Sequence, residues 1–351
     1  MRRKRCWPRG ALLAITVAAC LAGPAADASA PDRLERFREL AATRLGLAQV
    51  LESDSAADTY REIYALLDDE IVESLGSGSV FASLGFLQDR LDTFADTWGG
   101  ASFRLTRLGR VVVGAFALSE RPSGNSIRVY GPLRDEPALL AAVVREGKPS
   151  VYVLPAAPGG ALFLAVWEGA PSGRGTRALR VDLLRQQGDS VRVAWSTADA
   201  IADGVQARAW SIKGTDVRIR YEAHYPGWTP GCEGQTEQED VYRVAPAAGT
   251  VTRVSHHELN AWHRDLHASV ARLFQALAEH DETSLAAMVP DKALRARLPD
   301  LVRDPACDAP LDGGREAVSV AAATPDLRPW SLTFRRAGAR WRLTAAAPLA
   351  P

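Results

Sequence analysis

The chain has 351 residues, of which 47% are hydrophobic and 24% are charged, and its formal net charge is zero. This composition is typical of a globular protein, and the length suggests two or three domains. Removal of residues 1–30 on export would take away five basic residues and one acidic residue, which leaves a net charge of −4. That charge disfavours binding to nucleic acid or direct binding to anionic membrane surfaces.

Residues 1–30 have the pattern of a bacterial signal peptide, with five basic residues followed by a short apolar run. The run is too short to span a bilayer as a helix. The sequence VAAC, ending at Cys20, resembles the lipobox of bacterial lipoproteins. This resemblance implies a diacylglycerol anchor on Cys20 and, with Leu21 next, a place on the periplasmic side of the outer membrane. The alternative is cleavage after Ala30, which would release a soluble periplasmic or secreted protein.

Residues 31–100 are predicted to form a helical region. Apolar residues recur at the helical period in three segments, of which the second ends at the sequence GSGS and the third at Gly99. GSGS lacks the lysine of a phosphate-binding loop, so we interpret it as a connection. The acidic run from Asp68 to Glu70 falls within the second helix and is interpreted as a solvent-exposed face.

Residues 101–254 are predicted to form an antiparallel β domain, because apolar and polar residues alternate between turn signals. Two hairpins are predicted to turn at Gly188-Asp189 and at Lys213-Gly214. One helix, EPALLAAVVREG, is predicted at residues 136–147. Five arginines occupy polar positions in the alternating pattern of these strands. They indicate either a solvated face of the sheet, which we favour, or a strip that binds polyanions. They are Arg180, Arg192, Arg208, Arg218 and Arg220.

The longest irregular stretch of the β region, residues 224–240, combines aromatic side chains with carboxylates. Long loops in compact domains are often functional, and this composition suits a sugar ligand or a pair of carboxylates acting as acid and base. The alternative is a loop pinned by a disulfide, with Trp228 turned inward. The candidate ligand-binding residues are His224, Tyr225, Trp228, Glu233 and Glu237.

Residues 255–351 are predicted to form a small α+β domain. Ser255 and Glu258 have the spacing of a capping box, which predicts a helix from there to about Glu279. A shorter helix is expected around 283–302, then a strand and a hairpin that turns at Gly338. The sequence RLFQALAEHDETSLAAMV, with that hairpin, resembles nuclear-transport-factor-2-like domains, which have a cone-shaped α+β fold. The resemblance implies a pocket but no particular reaction.

Two cysteines remain after the signal peptide, Cys232 and Cys307. Cysteines of exported chains most often pair, so we predict a disulfide between them. Closing this interval would stabilise the fold by roughly 4–5 kcal/mol in the chain-entropy model. The alternative is two separate buried thiols.

Three histidines are candidate metal ligands, because His256, His263 and His267 fall on one face of the predicted helix. Imidazoles four residues apart on a helix can bind one zinc, copper or nickel ion. A metal site needs three or four ligands, however, and the sequence positions no carboxylate as the next ligand. We favour histidines that pack at the edge of the helix.

The sequence therefore predicts an α+β protein with N-terminal helices, a central antiparallel β domain and a small C-terminal α+β domain. No hydrolase, nucleotide-binding or zinc-protease motif is present in the sequence. The favoured function is non-catalytic binding or scaffolding in the cell envelope, with a protein or a glycan as partner. The alternative is an envelope enzyme that uses residues 224–240 or the histidine helix. No cofactor is predicted, apart from the metal alternative.

Overall fold

The chain is a mixed α and β protein in which β structure predominates, in outline as predicted. Within the described part of the chain, seven helices accompany 17 strands, which form three antiparallel sheets. None of the described helices is long and apolar enough to cross a membrane. The signal peptide, with Cys20 and Ala30, lies outside the described residues. The computed structural model describes residues 32–43, 54–119, 124–155, 160–311, 315–338 and 340–349.

Three helices precede the first strand: α1 (Arg33–Ala42), α2 (Asp54–Ser77) and α3 (Leu84–Trp98). The Ser83 side chain accepts a hydrogen bond from a backbone N–H of the first turn of α3. Gly99, with a positive φ of 67°, ends that helix as predicted. The apolar faces of the helices share one hydrophobic core with the first sheet.

The acidic run of α2 is not the solvated face that we expected. Asp68 accepts a hydrogen bond of 2.6 Å from Arg128 Nε, and Glu70, which is 8% exposed, accepts one of 2.7 Å from Arg90. Only Asp69 of the three is exposed. The reason for the error is that Arg128 lies 60 residues away on a strand, where local sequence cannot reveal it as a partner.

The first sheet is a four-stranded meander that lies between two layers. One face packs against the three helices, and the other packs against the second sheet, where Val113 and Val129 share a core with Phe163 and Trp167. Its strands, in order, are β1 (Ser102–Leu108), β2 (Val111–Ala117), β3 (Asn125–Leu133) and β4 (Glu136–Val144).

The helix predicted at residues 136–147 is wrong, because this segment is strand β4 paired with β3. Both faces of the sheet are covered, so Leu139 packs toward the helices and Leu140 toward the second sheet. A strand buried on both faces reads as a continuous apolar run, which local sequence does not distinguish from a helix. The preceding turn was also missed, since Arg134 and Asp135 take positive φ values without the usual glycine.

The second sheet has eight strands and curls around its own core, so that the Trp195 and Tyr242 rings approach to 5.2 Å. The hairpin at Gly188-Asp189 is confirmed, and the next one turns at Gly214-Thr215, one residue later than predicted. The strand order is β12-β11-β10-β9-β7-β6-β5, with β8 also paired to β7. The strands are β5 (Lys148–Val153), β6 (Leu162–Glu168), β7 (Arg177–Gln187), β8 (Ser190–Ser196), β9 (Gln206–Lys213), β10 (Asp216–Glu222), β11 (Glu237–Ala245) and β12 (Thr250–Leu259), and a short helix α4 (Thr197–Ala200) follows β8.

Several of the arginines on the polar phase of this sheet pair with carboxylates. Arg218 bonds to Glu239, and Arg220 bonds to Glu237, in both cases from β10 to the neighbouring strand β11. This agrees with the favoured interpretation of a solvated, ion-paired face.

The C-terminal segment packs helices against a five-stranded sheet with a continuous hydrophobic core between them. The hairpin at Gly338 is confirmed, and the helix expected around 283–302 is two short helices instead. The elements are α5 (Ala261–Ala278), α6 (Glu282–Met288), α7 (Lys292–Arg295), β13 (Val302–Arg303), β14 (Ala309–Pro310), β15 (Ala317–Ala323), β16 (Pro329–Ala337) and β17 (Arg340–Pro348).

The predicted capping box is wrong, because Ser255 and Glu258 belong to strand β12 and pair with residues of β11. Asn260, in the left-handed conformation with φ of 56°, ends the strand, and α5 begins at the next residue. The proposed domain boundaries at residues 100 and 254 stay predictions, although β12 continues past the second one to Leu259.

Candidate functional site

Helix α5 carries two buried histidines, His263 and His267, four residues apart on its inner face. His263 is 5% exposed and His267 is 1% exposed. Residues four apart lie one above the other on a helix, which brings the ring centroids within 4.4 Å. Imidazoles so deeply buried need hydrogen-bond partners, and the partners come from outside the helix.

The loop between β10 and β11, residues 223–236, packs against this face of α5 and has a fixed internal structure. The Gln235 side chain accepts a hydrogen bond from Thr229 N at 2.9 Å and donates to the carbonyl oxygens of Thr229 and Cys232. Cys232 is joined to Cys307 by the predicted disulfide, with a Cα–Cα separation of 5.3 Å. A disulfide points to an oxidising compartment.

The same loop completes the N-terminus of α5. Asn260 makes no side-chain cap, and Thr236 supplies the missing acceptor, since its Oγ1 accepts from Arg264 N at 3.1 Å. The hydroxyl also donates to the Asn260 carbonyl at 2.8 Å. A loop residue thus satisfies a backbone N–H that the helix leaves without an internal acceptor.

Five side chains from three segments form what we term the His–Asp cluster: Tyr225, His263, His267, Arg303 and Asp308. Asp308 Oδ2 lies 2.5 Å from His267 Nε2 and 3.3 Å from His263 Nε2, and the Asp308 side chain is 3% exposed. Tyr225 Oη lies 2.9 Å from His263 Nδ1. Arg303 Nη2 lies 3.1 Å from His267 Nε2 and donates to the Gly227 carbonyl at 3.3 Å.

One arrangement of hydrogens satisfies the contacts of Asp308 and Tyr225 with the two histidines. A carboxylate only accepts, so both histidines donate Nε2–H to Asp308. His263 Nδ1 then accepts from the Tyr225 hydroxyl, whose oxygen faces Thr236 N at 3.5 Å. Both imidazoles are neutral in this arrangement. Arg303 faces His267 Nε2 as a cation rather than as a hydrogen-bond donor, because that nitrogen already carries its hydrogen.

The electrostatics favour the same protonation states. Burial lowers the pKa of His267, against the hydrogen bond to Asp308, and the nearby charge of Arg303 adds to the lowering. Burial alone would raise the pKa of Asp308, but the hydrogen bonds from His263 and His267 outweigh it and hold that pKa well below its usual range. Burial raises the pKa of Tyr225, which keeps its hydroxyl proton in place. The cluster therefore holds an ionised carboxylate beside the neutral ring of His267.

Gly227 allows the loop to approach the cluster this closely. Its φ is +94°, and a Cβ at this position would lie 2.6 Å from Arg303 Nη1 and 2.9 Å from His267 Nδ1. A side chain here would be strained by the backbone conformation and would clash with two members of the cluster. The glycine leaves His267 Nδ1 buried without a hydrogen-bond partner in the described part of the chain.

The metal-ligand pattern of the sequence is partly reproduced. One ligand atom each from His263, His267 and Asp308 lies within 4.8 Å of the others. To bind a metal, both imidazoles would give up Nε2–H, and the 2.5 Å contact between Asp308 and His267 would have to open beside the Arg303 cation. The hydrogen-bonded form needs none of these changes, so we favour it, and the metal site stays a prediction.

His256, the third predicted ligand, is not on the helix. It lies on β12 and its Nδ1 contacts Asp240 Oδ1 at 2.8 Å, across the pair that it forms with β11. Asp240 is fully buried and also accepts from the hydroxyls of Tyr221 and Tyr242. His256 therefore belongs to a separate polar cluster.

Of the five predicted ligand-binding residues, two have partners within the fold and three lie on the outer surface of the loop. Tyr225 faces the His–Asp cluster, and Glu237 lies on β11, where Arg220 and Arg208 pair with it. His224 and Glu233 are exposed, and the His224 ring packs against the half-buried Trp228 with centroids 4.1 Å apart and an angle of 37° between the rings. The outer surface of the loop thus presents His224, Trp228 and Glu233.

Sequence reasoning missed Asp308, Arg303 and Gly227. Asp308 follows Cys307 directly, so the predicted disulfide was the signal that placed a carboxylate next to residues 224–240. Arg303 has no such signal, since it contacts the cluster from a two-residue strand. Gly227 is one of many glycines, and only its positive φ and its close neighbours distinguish it.

No protein-family model matches the chain, and no curated protein matches its sequence.

Proposed function

We propose that the chain is an exported cell-envelope protein with a non-catalytic binding or scaffolding role, and that loop 223–236 is its contact surface. The observation that carries this proposal is the closure of the His–Asp cluster. Its two histidines and its carboxylate are each no more than 6% exposed by side chain and are bonded to one another. Residues so enclosed are suited to holding a loop and not to meeting a substrate.

The loop has the properties of a preorganised binding surface. It is fixed by a disulfide, by the Gln235 side chain and by the cluster, so little conformational entropy is lost when a partner binds. The adjacent rings of His224 and Trp228 supply aromatic area, and the exposed Glu233 supplies charge. Aromatic residues in a rigid frame are frequent in the energetic centres of interfaces.

The partner that we propose is an envelope protein or a glycan. A half-buried tryptophan on a loop that also carries an exposed carboxylate suits the apolar face and the hydroxyls of a sugar, and the same residues suit a protein epitope. The resemblance of the C-terminal segment to nuclear-transport-factor-2-like domains is also kept as a proposal. The space between α5 and its sheet is filled by buried side chains such as Leu273, Phe334 and Trp341, so we place the contact surface on the loop.

The location that we propose is the periplasmic side of the outer membrane, with Cys20 as the lipid anchor. The intact mass of protein expressed with its own signal tests this. A mass that begins at Cys20 with a diacylglyceryl group supports the anchor. A mass that begins at Pro31 would contradict it and would favour a soluble exported protein.

The binding role is tested by replacing the two rings on the outer surface of the loop in a His224→Ala/Trp228→Ala variant. Two probes cover the two partner classes: purified peptidoglycan sacculi for a glycan, and, for a protein, a photo-cross-linking residue in cells at position 233, which is exposed on the same loop and is unchanged in the double variant. Phe81→Ala removes another exposed aromatic ring and is the matched control.

We expect sacculus binding or a discrete cross-link that the double variant loses and the control keeps. Equal binding by both variants, or neither a bound glycan nor a cross-link at position 233, would contradict the assignment of the loop.

A further inference from the structure

A separate pocket of about 270 Å³ lies at the edge between the first two sheets, away from the His–Asp cluster. It is formed by the connection from β4 to β5, by the ends of β6 and β7, and by the short helix α4. We term it the arginine pocket, defined by the lining residues Arg145, Trp167, Arg180 and Thr197. It adjoins a larger cleft of about 1000 Å³, because Glu146, Gly147 and Gly169 line both.

A buried carboxylate positions the two guanidinium groups. Asp182, which is fully buried on β7, accepts from Arg180 Nε at 2.9 Å and from the Ser196 hydroxyl at 2.6 Å. Arg145 Nε lies 3.8 Å from the other oxygen of Asp182. Each arginine thus faces Asp182 through Nε, and Arg145 Nη1 donates to the Val144 carbonyl. The terminal nitrogens of Arg180 have no partner among the described residues and are free to bind an acceptor.

Two buried donors at this pocket lack acceptors. Arg145 Nε and Trp167 Nε1 are both shielded from solvent and have no hydrogen-bond partner in the ranges that the structure describes. Trp167 as a whole is 1% exposed. Buried donors are nearly always paired in folded proteins, because an unpaired one loses its hydrogen bond to water without replacement. Arg145 Nε faces Asp182, however, and both atoms are closed to solvent, so the donors that a ligand in the open pocket meets are the terminal guanidinium nitrogens of the two arginines. Two guanidinium groups favour an acceptor with more than one oxygen.

The charges set the class of that acceptor. The two arginines and Asp182 together carry one net positive charge, which one carboxylate neutralises. Glu146, which is exposed and also lines the pocket, disfavours a second negative charge. A carboxylate is planar and accepts from two guanidinium nitrogens at once, which suits arginine.

We propose that the arginine pocket binds the carboxylate group of a small organic monoanion. Arg145 and Arg180 hold its two oxygens, and the indole of Trp167 lies against it. The remainder of the ligand extends toward the adjoining cleft. This site is independent of loop 223–236, so the two assignments stand or fall separately.

The test is a titration of the mature protein with propionate, followed through the indole N–H signals in a ¹⁵N–¹H NMR spectrum. Trp167→Phe assigns the signal of Trp167. Propionamide, which has the same shape without the charge, is the matched probe. Inorganic phosphate tests a tetrahedral anion. Arg145→Gln is the main variant, because Arg180→Gln would leave Asp182 buried without its closest cation and would risk unfolding. Arg192→Gln, an exposed arginine on β8, is the control.

We expect a saturable shift of the Trp167 signal with propionate and none with propionamide. The dissociation constant should rise roughly tenfold or more in Arg145→Gln and stay unchanged in Arg192→Gln. The proposal is overturned if propionate and propionamide act alike, if no indole signal moves, or if phosphate binds more tightly than propionate.

Discussion

At the scale of single residues, the close packing of loop 223–236 on the His–Asp cluster depends on the absence of a side chain at Gly227. Gly227 and Gly231 have the same φ of +94°, but a Cβ at Gly231 would meet nothing within 4 Å. The two positions therefore separate the cost of the backbone conformation from the cost of the clash with Arg303 and His267.

We expect Gly227→Ala to lower the free energy of unfolding by more than Gly231→Ala, which alone should cost about 1–3 kcal/mol through backbone strain. Urea denaturation of both variants measures the difference. Equal losses in the two variants would mean that the close packing of the loop on the cluster contributes nothing to stability.

A second prediction at this scale concerns pH. The pKa of His267 in the folded protein is below its ordinary value of 6.5, so the unfolded chain binds more protons as the pH falls below 6.5. Stability from this group is therefore complete above about pH 6.5 and is lost as the pH falls toward the lowered pKa. Asp308 acts in the same direction at lower pH, since its folded pKa is below the ordinary 3.8.

We expect the melting temperature, measured with chelator present, to fall between pH 7.5 and pH 5.5, and to fall less in His267→Gln. Glutamine keeps an N–H for Asp308 but does not titrate in this range. His257→Gln, an exposed histidine on β12, should behave as the wild type. The same slope in all three proteins would contradict the neutral, buried state of His267.

At the scale of elements, the sequence correctly predicted the helices and hairpins that are specified by residues close together in the chain. Helices α2 and α3 and the hairpins at Gly188 and Gly338 follow from apolar period and turn residues. Strand β4 was mistaken for a helix because both of its faces are covered. The end of β12 was mistaken for a helix cap because Ser255 and Glu258 have the right spacing. In both cases pairing with a neighbouring strand overrode the local pattern.

In the candidate site, too, only the features set by nearby residues were predictable from the sequence. His263 and His267 followed from their spacing on one helix, and the disulfide followed from the cysteine count. The roles of Asp308 and Arg303 did not, because they are 41 and 36 residues from His267 and meet it only through the fold. His256 was included in error because the predicted helix began too early.

The element-scale prediction concerns the disulfide, which joins residues 75 positions apart. We expect Cys232→Ser/Cys307→Ser to lower the free energy of unfolding by up to about 4–5 kcal/mol, since the unfolded chain regains the entropy of the open loop. Reduced wild-type protein is the control and should match the variant in urea denaturation. No loss in either would show that the other contacts of the loop suffice.

At the scale of the whole molecule, the three sheets place possible contact regions at different junctions. The helices and the first sheet share one core, the first and second sheets share another, and the cleft and the arginine pocket lie along that junction. Loop 223–236 instead joins the second sheet to the C-terminal helices through the cluster, the disulfide and Thr236. A partner on the loop and a small anion in the pocket would therefore bind at separate places.

The central claim is that the His–Asp cluster serves to hold loop 223–236 in place, and hydrogen exchange of that loop in Asp308→Asn tests it most directly. Asp300→Asn, an exposed aspartate of the same segment, is the control. The account predicts that backbone amides of the loop exchange roughly tenfold faster in Asp308→Asn, while the disulfide stays intact and the strands keep their protection. Unchanged exchange of the loop in Asp308→Asn would contradict the claim.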